Sequence, residues 1–119
     1  FTINDDVMLK DDHKFYFGTH SDAYIQYRET GDDYLTISGS ANGVAISGSS
    51  VIVDGNLLPN ADAVTDLGSA SRRWANIYTG DLHLRNERGD WTIVEEEDYL
   101  TIVNNKKGKK YKFVLEEID

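Results

Sequence analysis

The stretch that decides the fold runs Asp81-Leu82-His83-Leu84-Arg85, Asn86-Glu87-Arg88-Gly89, Trp91-Thr92-Ile93-Val94, Glu95-Glu96-Glu97-Asp98, Tyr99-Leu100-Thr101-Ile102-Val103, Asn104-Asn105-Lys106-Lys107-Gly108, Lys110-Tyr111-Lys112-Phe113-Val114-Leu115. Apolar and polar residues alternate within each strand-sized piece, the period of a strand with one buried face. The connections are too short for parallel crossovers, so the four pieces read as an antiparallel meander. One face collects Leu82, Leu84, Trp91, Ile93, Leu100, Ile102, Tyr111, Phe113 and Leu115. A single sheet cannot cover such a face, and with no amphipathic helix to act as a lid, sister chains around a threefold axis are the expected cover.

Upstream, a bridge runs Leu58-Pro59-Asn60-Ala61-Asp62-Ala63-Val64-Thr65-Asp66-Leu67-Gly68-Ser69-Ala70-Ser71-Arg72-Arg73-Trp74-Ala75-Asn76-Ile77-Tyr78. Pro59 lacks a backbone donor, which ends the strand-like approach at Leu57-Leu58. Gly68 suits a positive φ, and Ser69 or Ser71 can cap a short helical turn carrying Arg72, Arg73 and Trp74. Trp74 and Ile77 would then point inward together, making Trp74 the structural anchor of the bridge. The two arginines form a charged outer edge, or one of them pairs with Asp66; a sulfated or phosphorylated ligand is the remaining alternative.

The N-terminal half is a succession of short strands: Lys14-Phe15-Tyr16-Phe17, Ala23-Tyr24-Ile25-Gln26-Tyr27-Arg28, Tyr34-Leu35-Thr36-Ile37, Val44-Ala45-Ile46 and Val51-Ile52-Val53. Leu35-Thr36-Ile37-Ser38-Gly39-Ser40 is echoed nine residues on by Val44-Ala45-Ile46-Ser47-Gly48-Ser49. This fits coil-like rungs that bury their apolar faces by stacking, and it also fits an ordinary meander with similar turns. Asp33-Tyr34-Leu35-Thr36-Ile37 recurs letter for letter at Asp98-Tyr99-Leu100-Thr101-Ile102, which reads as shared strand chemistry.

Composition narrows the classes of function. The chain has 119 residues, 39% of them hydrophobic, and no Cys; its mean hydropathy is −0.49. A monomer would therefore have a thin core without disulfides to supplement it. Its formal charge of −9, from 12 Lys+Arg and 21 Asp+Glu, disfavours nucleic acid and anionic membranes as partners. No apolar run approaches the roughly 20 residues of a membrane-spanning helix. The opening Phe1-Thr2-Ile3-Asn4 is neither an initiator Met nor a signal sequence, so the chain reads as a piece of a longer one.

No catalytic constellation emerges. His13, His20 and His83 stand outside any recognisable motif, and His83 falls opposite the leucine face, where a solvent-facing strand residue is expected. Adjacent acids at Asp5-Asp6, Asp11-Asp12, Asp32-Asp33 and Glu95-Glu96-Glu97-Asp98 read as solvated turns. Gly31-Asp32-Asp33 and Asp11-Asp12-His13 could offer oxygen ligands to calcium but lack the spacing of a calcium loop. The expectation is a protein with no cofactor and no metal that is not an enzyme. Lys106-Lys107-Gly108-Lys109-Lys110 faces the acidic loop and reads as cross-strand pairing and edge protection.

The bridge from Asp66-Leu67-Gly68-Ser69 through Trp74 to Ile77-Tyr78, the strand Thr79-Gly80-Asp81-Leu82-His83-Leu84 and the approach Ile52-Val53-Asp54-Gly55-Asn56-Leu57-Leu58-Pro59 resemble the C-terminal region of bacteriophage tail-fibre and tailspike proteins. The resemblance covers about a third of the chain. It implies an all-β intertwined homotrimer: a shaft-like part of β-helix or β-prism type over 1–57, a bridge with a short helical turn over 58–80, and a meander tip over 81–119. In many members the bridge precedes a self-cleaved chaperone; no such pattern occurs here, so self-processing is not implied. Trimeric fibre tips with axial metals use a His-X-His pair, which His83 lacks. The implied role is a structural and adhesive part of a virion's tail fibre, outside the cell, attaching to a host-surface glycan or protein. The candidate contacts are the loops holding Asn86, Glu87 and Arg88 and Asn104, Asn105, Lys106 and Lys107. The alternatives are a purely structural shaft or baseplate connector, and a glycan-degrading tailspike fragment.

Overall fold

The computed structural model describes all 119 residues. It is all-β, with two antiparallel sheets and no helix, and the chain divides into two units, Phe1–Leu58 and Pro59–Asp119.

The first unit holds β1 (Lys14–Phe17), β2 (Ala23–Tyr27) and β3 (Leu35–Ser38) in the order β1-β2-β3. Pairing Phe15 with Ile25 and Ile25 with Ile37 puts these three on one face, with Phe17, Tyr27 and Leu35. That apolar face is exposed. The opposite face is closed at its centre by Gln26, which is buried and donates from Nε2 to the Asp12 carbonyl at 3.1 Å.

The second unit holds β4 (Leu82–Arg85), β5 (Asp90–Glu95), β6 (Leu100–Asn104) and β7 (Lys109–Lys112) as a meander in sequence order. Register arranges the expected apolar face in rows across the strands. The middle row is Leu82, Ile93, Ile102 and Tyr111, and the row toward the β4–β5 loop is Leu84, Trp91, Asn104 and Lys109. Phe113 extends the ladder by donating to the Leu100 carbonyl at 3.0 Å. Leu115 does not join this face, because its place opposite β6 falls where the chain turns into the 96–99 loop, and it stays exposed beyond β7.

In both units the polar face is the finished one. Thr92 and Thr101 are buried to 7% and 3% exposure, and both side chains are hydrogen-bonded. No hydrophobic side chain is buried anywhere, and the accessible surface is 11994 Å². A fully extended chain of this mass would expose roughly 19,400 Å², and two separate compact globules of half the mass about 7,800 Å² between them. About 4,000 Å² that folded domains of this size normally remove from water is therefore left open.

Three expectations are corrected within the single chain. Val44-Ala45-Ile46 and Val51-Ile52-Val53 form no strands; the sheet ends at the Ser40–Gly43 turn, where Gly43 donates to the Ser40 carbonyl at 2.9 Å. That turn requires Gly39, whose side chain would stand 2.1 Å from the Gly43 carbonyl oxygen. From there to residue 81 the chain has no ladder partner of its own. The bridge over 58–80 is not helical: Ser69 and Arg72 exchange backbone hydrogen bonds at 3.0 and 3.3 Å, folding the chain back on itself. Ser69 does cap, its hydroxyl accepting from the Arg72 N–H at 3.0 Å, but the Arg72 carbonyl turns back to Ser69 and no helix propagates. Trp74 and Ile77 share a cleft with Gly68, yet Trp74 does not point inward within the chain and is 64% exposed.

Candidate functional site

The meander brings both expected contact loops to one end of the sheet, because the β4–β5 and β6–β7 connections lie on the same side. The first loop is built by Asn86. Its N–H donates to the Gly89 carbonyl at 2.9 Å, and its Oδ1 accepts from the N–H groups of Arg88 and Gly89 at 2.9 and 3.0 Å. The second loop is built in the same way by Asn104, whose Oδ1 accepts from the Lys107 N–H at 3.2 Å while its carbonyl accepts from Gly108 at 2.8 Å. Gly108 takes a φ of 64°, where other residues are strained.

Asn105 ties the second loop to the sheet. Its N–H extends the ladder to the Asp90 carbonyl at 2.9 Å, and its Nδ2 donates to Asp90 Oδ1 and Thr92 Oγ1, both at 2.9 Å. Lys106 then joins loop to loop, Nζ donating to the Arg88 carbonyl at 3.2 Å. Of the seven expected contact residues, Asn86, Asn104, Asn105 and Lys106 thus form the scaffold, while the side chains of Glu87, Arg88 and Lys107 are presented to solvent.

The sheet separates charge by end. Arg85, Arg88, Lys106, Lys107 and Lys109 gather at the loop end against Glu87 and Asp90, in a chain of net charge −9. Asp90 is already engaged by Asn105, with Arg85 Nε at 3.9 Å from its other oxygen. The opposite end carries Glu95-Glu96-Glu97-Asp98, where the Glu96 N–H donates to the Tyr99 carbonyl at 2.9 Å. Lys110 reaches this end and pairs with Glu96 at 2.8 Å, while Thr101 donates to the same oxygen at 3.3 Å. The Lys110 hydrogen bond and charge hold Glu96 below its ordinary pKa and raise that of Lys110 in return. Lys112 lies 4.5 Å over the Tyr99 ring. The basic run therefore does pair across strands through Lys110, whereas Lys106, Lys107 and Lys109 form no ion pair.

Beside the first loop a cleft of about 560 Å³ is lined by Leu84, Arg85, Asn86, Arg88, Gly89 and Trp91. Leu84, Arg85, Gly89 and Trp91 were not among the expected contacts. Strand alternation placed Leu84 and Trp91 on one face, and their register in one row beside the loop is what would have added them.

The other sequence candidates are held in turns. Asp12 accepts from the Thr30 N–H and hydroxyl at 3.3 and 2.9 Å, and Asp32 pairs with Arg28 at 3.2 Å. Asp33 accepts from the Tyr27 hydroxyl, a bond that pushes the Tyr27 pKa up to about 12. No group of three or more His, Asp or Glu side chains converges as a metal site would require. His83 faces away from the leucines, its Nδ1 3.2 Å from Thr92 Oγ1. Neither Arg72 nor Arg73 forms an ion pair.

Comparison with protein-family models, characterised proteins and solved structures yields no match.

Proposed function

We propose that this chain is the structural and adhesive distal part of a trimeric viral tail fibre, in which the meander locks three copies together and presents its loop end to the host surface. The observation that carries the proposal is the burial pattern: the buried side chains, Gln26, Thr92 and Thr101, lie on the polar faces, while the apolar faces are exposed or only half-buried and no hydrophobic side chain is buried. Covering such a face removes its apolar surface from water, and that burial is the dominant favourable contribution to folding and association.

The missing area favours three copies over two. If each chain covers about 4,000 Å², a trimer distributes this over three interfaces of about 4,000 Å² each, within the roughly 2,000–5,000 Å² of obligate assemblies. A dimer would concentrate about 8,000 Å² in one interface, toward the open upper end of obligate assemblies. The segment from 44 to 81 supports intertwining, since its strand-type residues lack ladder partners in their own chain and Ile52 is 93% exposed. Backbone groups of this kind are satisfied by water or by another chain, and burial of their side chains requires the latter.

Adhesion rests on the loop end, a rigid scaffold presenting charged side chains, which is how binding loops are commonly built. The test applies the labelled full chain to a panel of intact bacterial cells. Retention on a subset of strains, lost when both loops are replaced by Gly-Ser sequences of equal length with the oligomer intact, is the expected result. Equal retention after replacement removes the adhesive role and leaves a trimeric connector.

A further inference from the structure

We propose that the cleft between Trp91 and the 86–89 loop binds an acidic saccharide, its ring lying against the open edge of the indole and its carboxylate or phosphate held by Arg88, with Arg85 and Lys106 beside it. This deepens the adhesive reading above and rests on it for the biological source of the ligand.

Charge is the first observation. The loop end accumulates Arg85, Arg88, Lys106, Lys107 and Lys109 in an acidic protein, and of these only Arg85 has an acid within 4 Å. Lys106 is held by a carbonyl, which fixes its position without neutralising its charge. Bringing three copies together in parallel would crowd these cations further, and like charges at close range are unfavourable. An anion from outside the chain offsets that repulsion, and a guanidinium suits a carboxylate or phosphate because its paired donors match their oxygens.

The indole is the second. Trp91 Nε1 and Cδ1 point at the position a Gly89 side chain would occupy, 3.1 and 3.2 Å from an ideal Cβ, so the glycine leaves that edge of the ring open to the cleft. Trp91 lies in the end row of the apolar face, beside polar Asn104 and Lys109, and not in the all-apolar middle row. That row is the rim of any interface built on Leu82, Ile93, Ile102 and Tyr111, so the indole can serve a ligand while the middle row serves assembly. An indole edge beside Arg85, Arg88 and the loop-building Asn86 fits a molecule with an apolar ring and an anionic substituent. A bare inorganic ion would use the cations and leave the ring idle; a neutral sugar would leave the charges uncompensated.

The test follows the indole N–H resonance of Trp91 in the full chain, assigned by its loss in Trp91→Phe, during titration with glucose 6-phosphate, glucuronate, glucose and inorganic phosphate. Both acidic sugars are expected to shift it, the two arms separating phosphate from carboxylate recognition, with glucose and phosphate each about tenfold weaker. Arg88→Gln, whose side chain forms no hydrogen bond or ion pair within the chain, is expected to weaken the acidic sugars about tenfold by loss of a charged hydrogen bond. Gly89→Ala should abolish the shift by crowding the indole edge, at unchanged mass and thermal midpoint. Equal binding of glucose, unchanged affinity in Arg88→Gln, or phosphate binding as tightly as its sugar ester would each overturn the proposal. If Arg88→Gln does not fold, Arg85→Gln, the other cation lining the cleft, carries the charge test, with unaltered affinity again overturning it. A monomer that binds acidic sugars keeps the site and removes the fibre reading; a trimer that binds none removes the site and keeps the fibre.

Discussion

Replacing Leu82 by Ala tests the covered face at a point where the single chain and the assembly differ in magnitude. Leu82 sits in the middle row opposite Ile93 and is 44% exposed within its own chain. Full burial of the roughly three carbon groups removed contributes about 2.4 kcal/mol at ~0.8 kcal/mol each, so the part buried inside one chain accounts for about 1.3 kcal/mol. If a sister chain covers the face, the loss rises to the ~2–5 kcal/mol of a cavity-forming core truncation, and it occurs in all three copies. The trimer then loses about 6–15 kcal/mol, at least four orders of magnitude in its association constant. Sedimentation equilibrium over a range of concentrations reads this directly, with His83→Ala on the finished polar face as a control that should not alter the association. A Leu82→Ala protein that keeps its mass at every concentration and loses only about 1 kcal/mol would refute the reasoning.

Three further outcomes are expected. Stability should hold across neutral pH and fall in acid: Glu96 has a pKa held below its ordinary 4.5, so its contribution exists above that value and is lost as pH drops through the lowered one, whereas Lys110, raised above 10.5, loses its contribution only as pH climbs beyond that. Thermal midpoints of the wild type and of Glu96→Gln against pH check this, the variant showing a shallower acid-side slope. Asn86→Ala removes the acceptor for two backbone N–H groups and should cost about 1–2 kcal/mol, with faster amide exchange at Arg88 and Gly89 and no change in mass. Trp74→Ala should lower the thermal midpoint of the trimer before it alters any binding, since a Trp this exposed within its chain is expected to find its contacts in another; an unchanged midpoint contradicts that.

The meander was legible because its signal is local. Alternation in Trp91-Thr92-Ile93 and Leu100-Thr101-Ile102, with turn residues between, specifies strand, face and partner, and the register returned those residues to one face. The repeated Asp-Tyr-Leu-Thr-Ile likewise put Leu and Ile on the apolar face in both β3 and β6, one an edge strand and the other central. What failed depended on partners that periodicity does not encode. Val44-Ala45-Ile46 and Val51-Ile52-Val53 have strand composition but no neighbour in their own chain, and Leu115 ran past the end of the strand it should have faced. In the bridge, a serine hydroxyl and a returning carbonyl closed a turn where capping chemistry had implied a helix.

At the loop end, type and position were readable but role was not. The asparagines expected as contacts also build the loops, their bonds reaching Arg88, Gly89, Lys107 and Asp90 through a three-dimensional turn. The bond from Lys106 to the Arg88 carbonyl joins positions 18 residues apart. Only the folded sheet brings these together, and only there does the concentration of cations at one end become visible.

Whether three copies cover what one chain leaves exposed is read by multi-angle light scattering on the purified full chain at micromolar concentration. A single species near 40 kDa, about three times the 13.4 kDa chain, is the expected result. A monodisperse 13.4 kDa monomer with the β-sheet circular dichroism of a folded protein would contradict it.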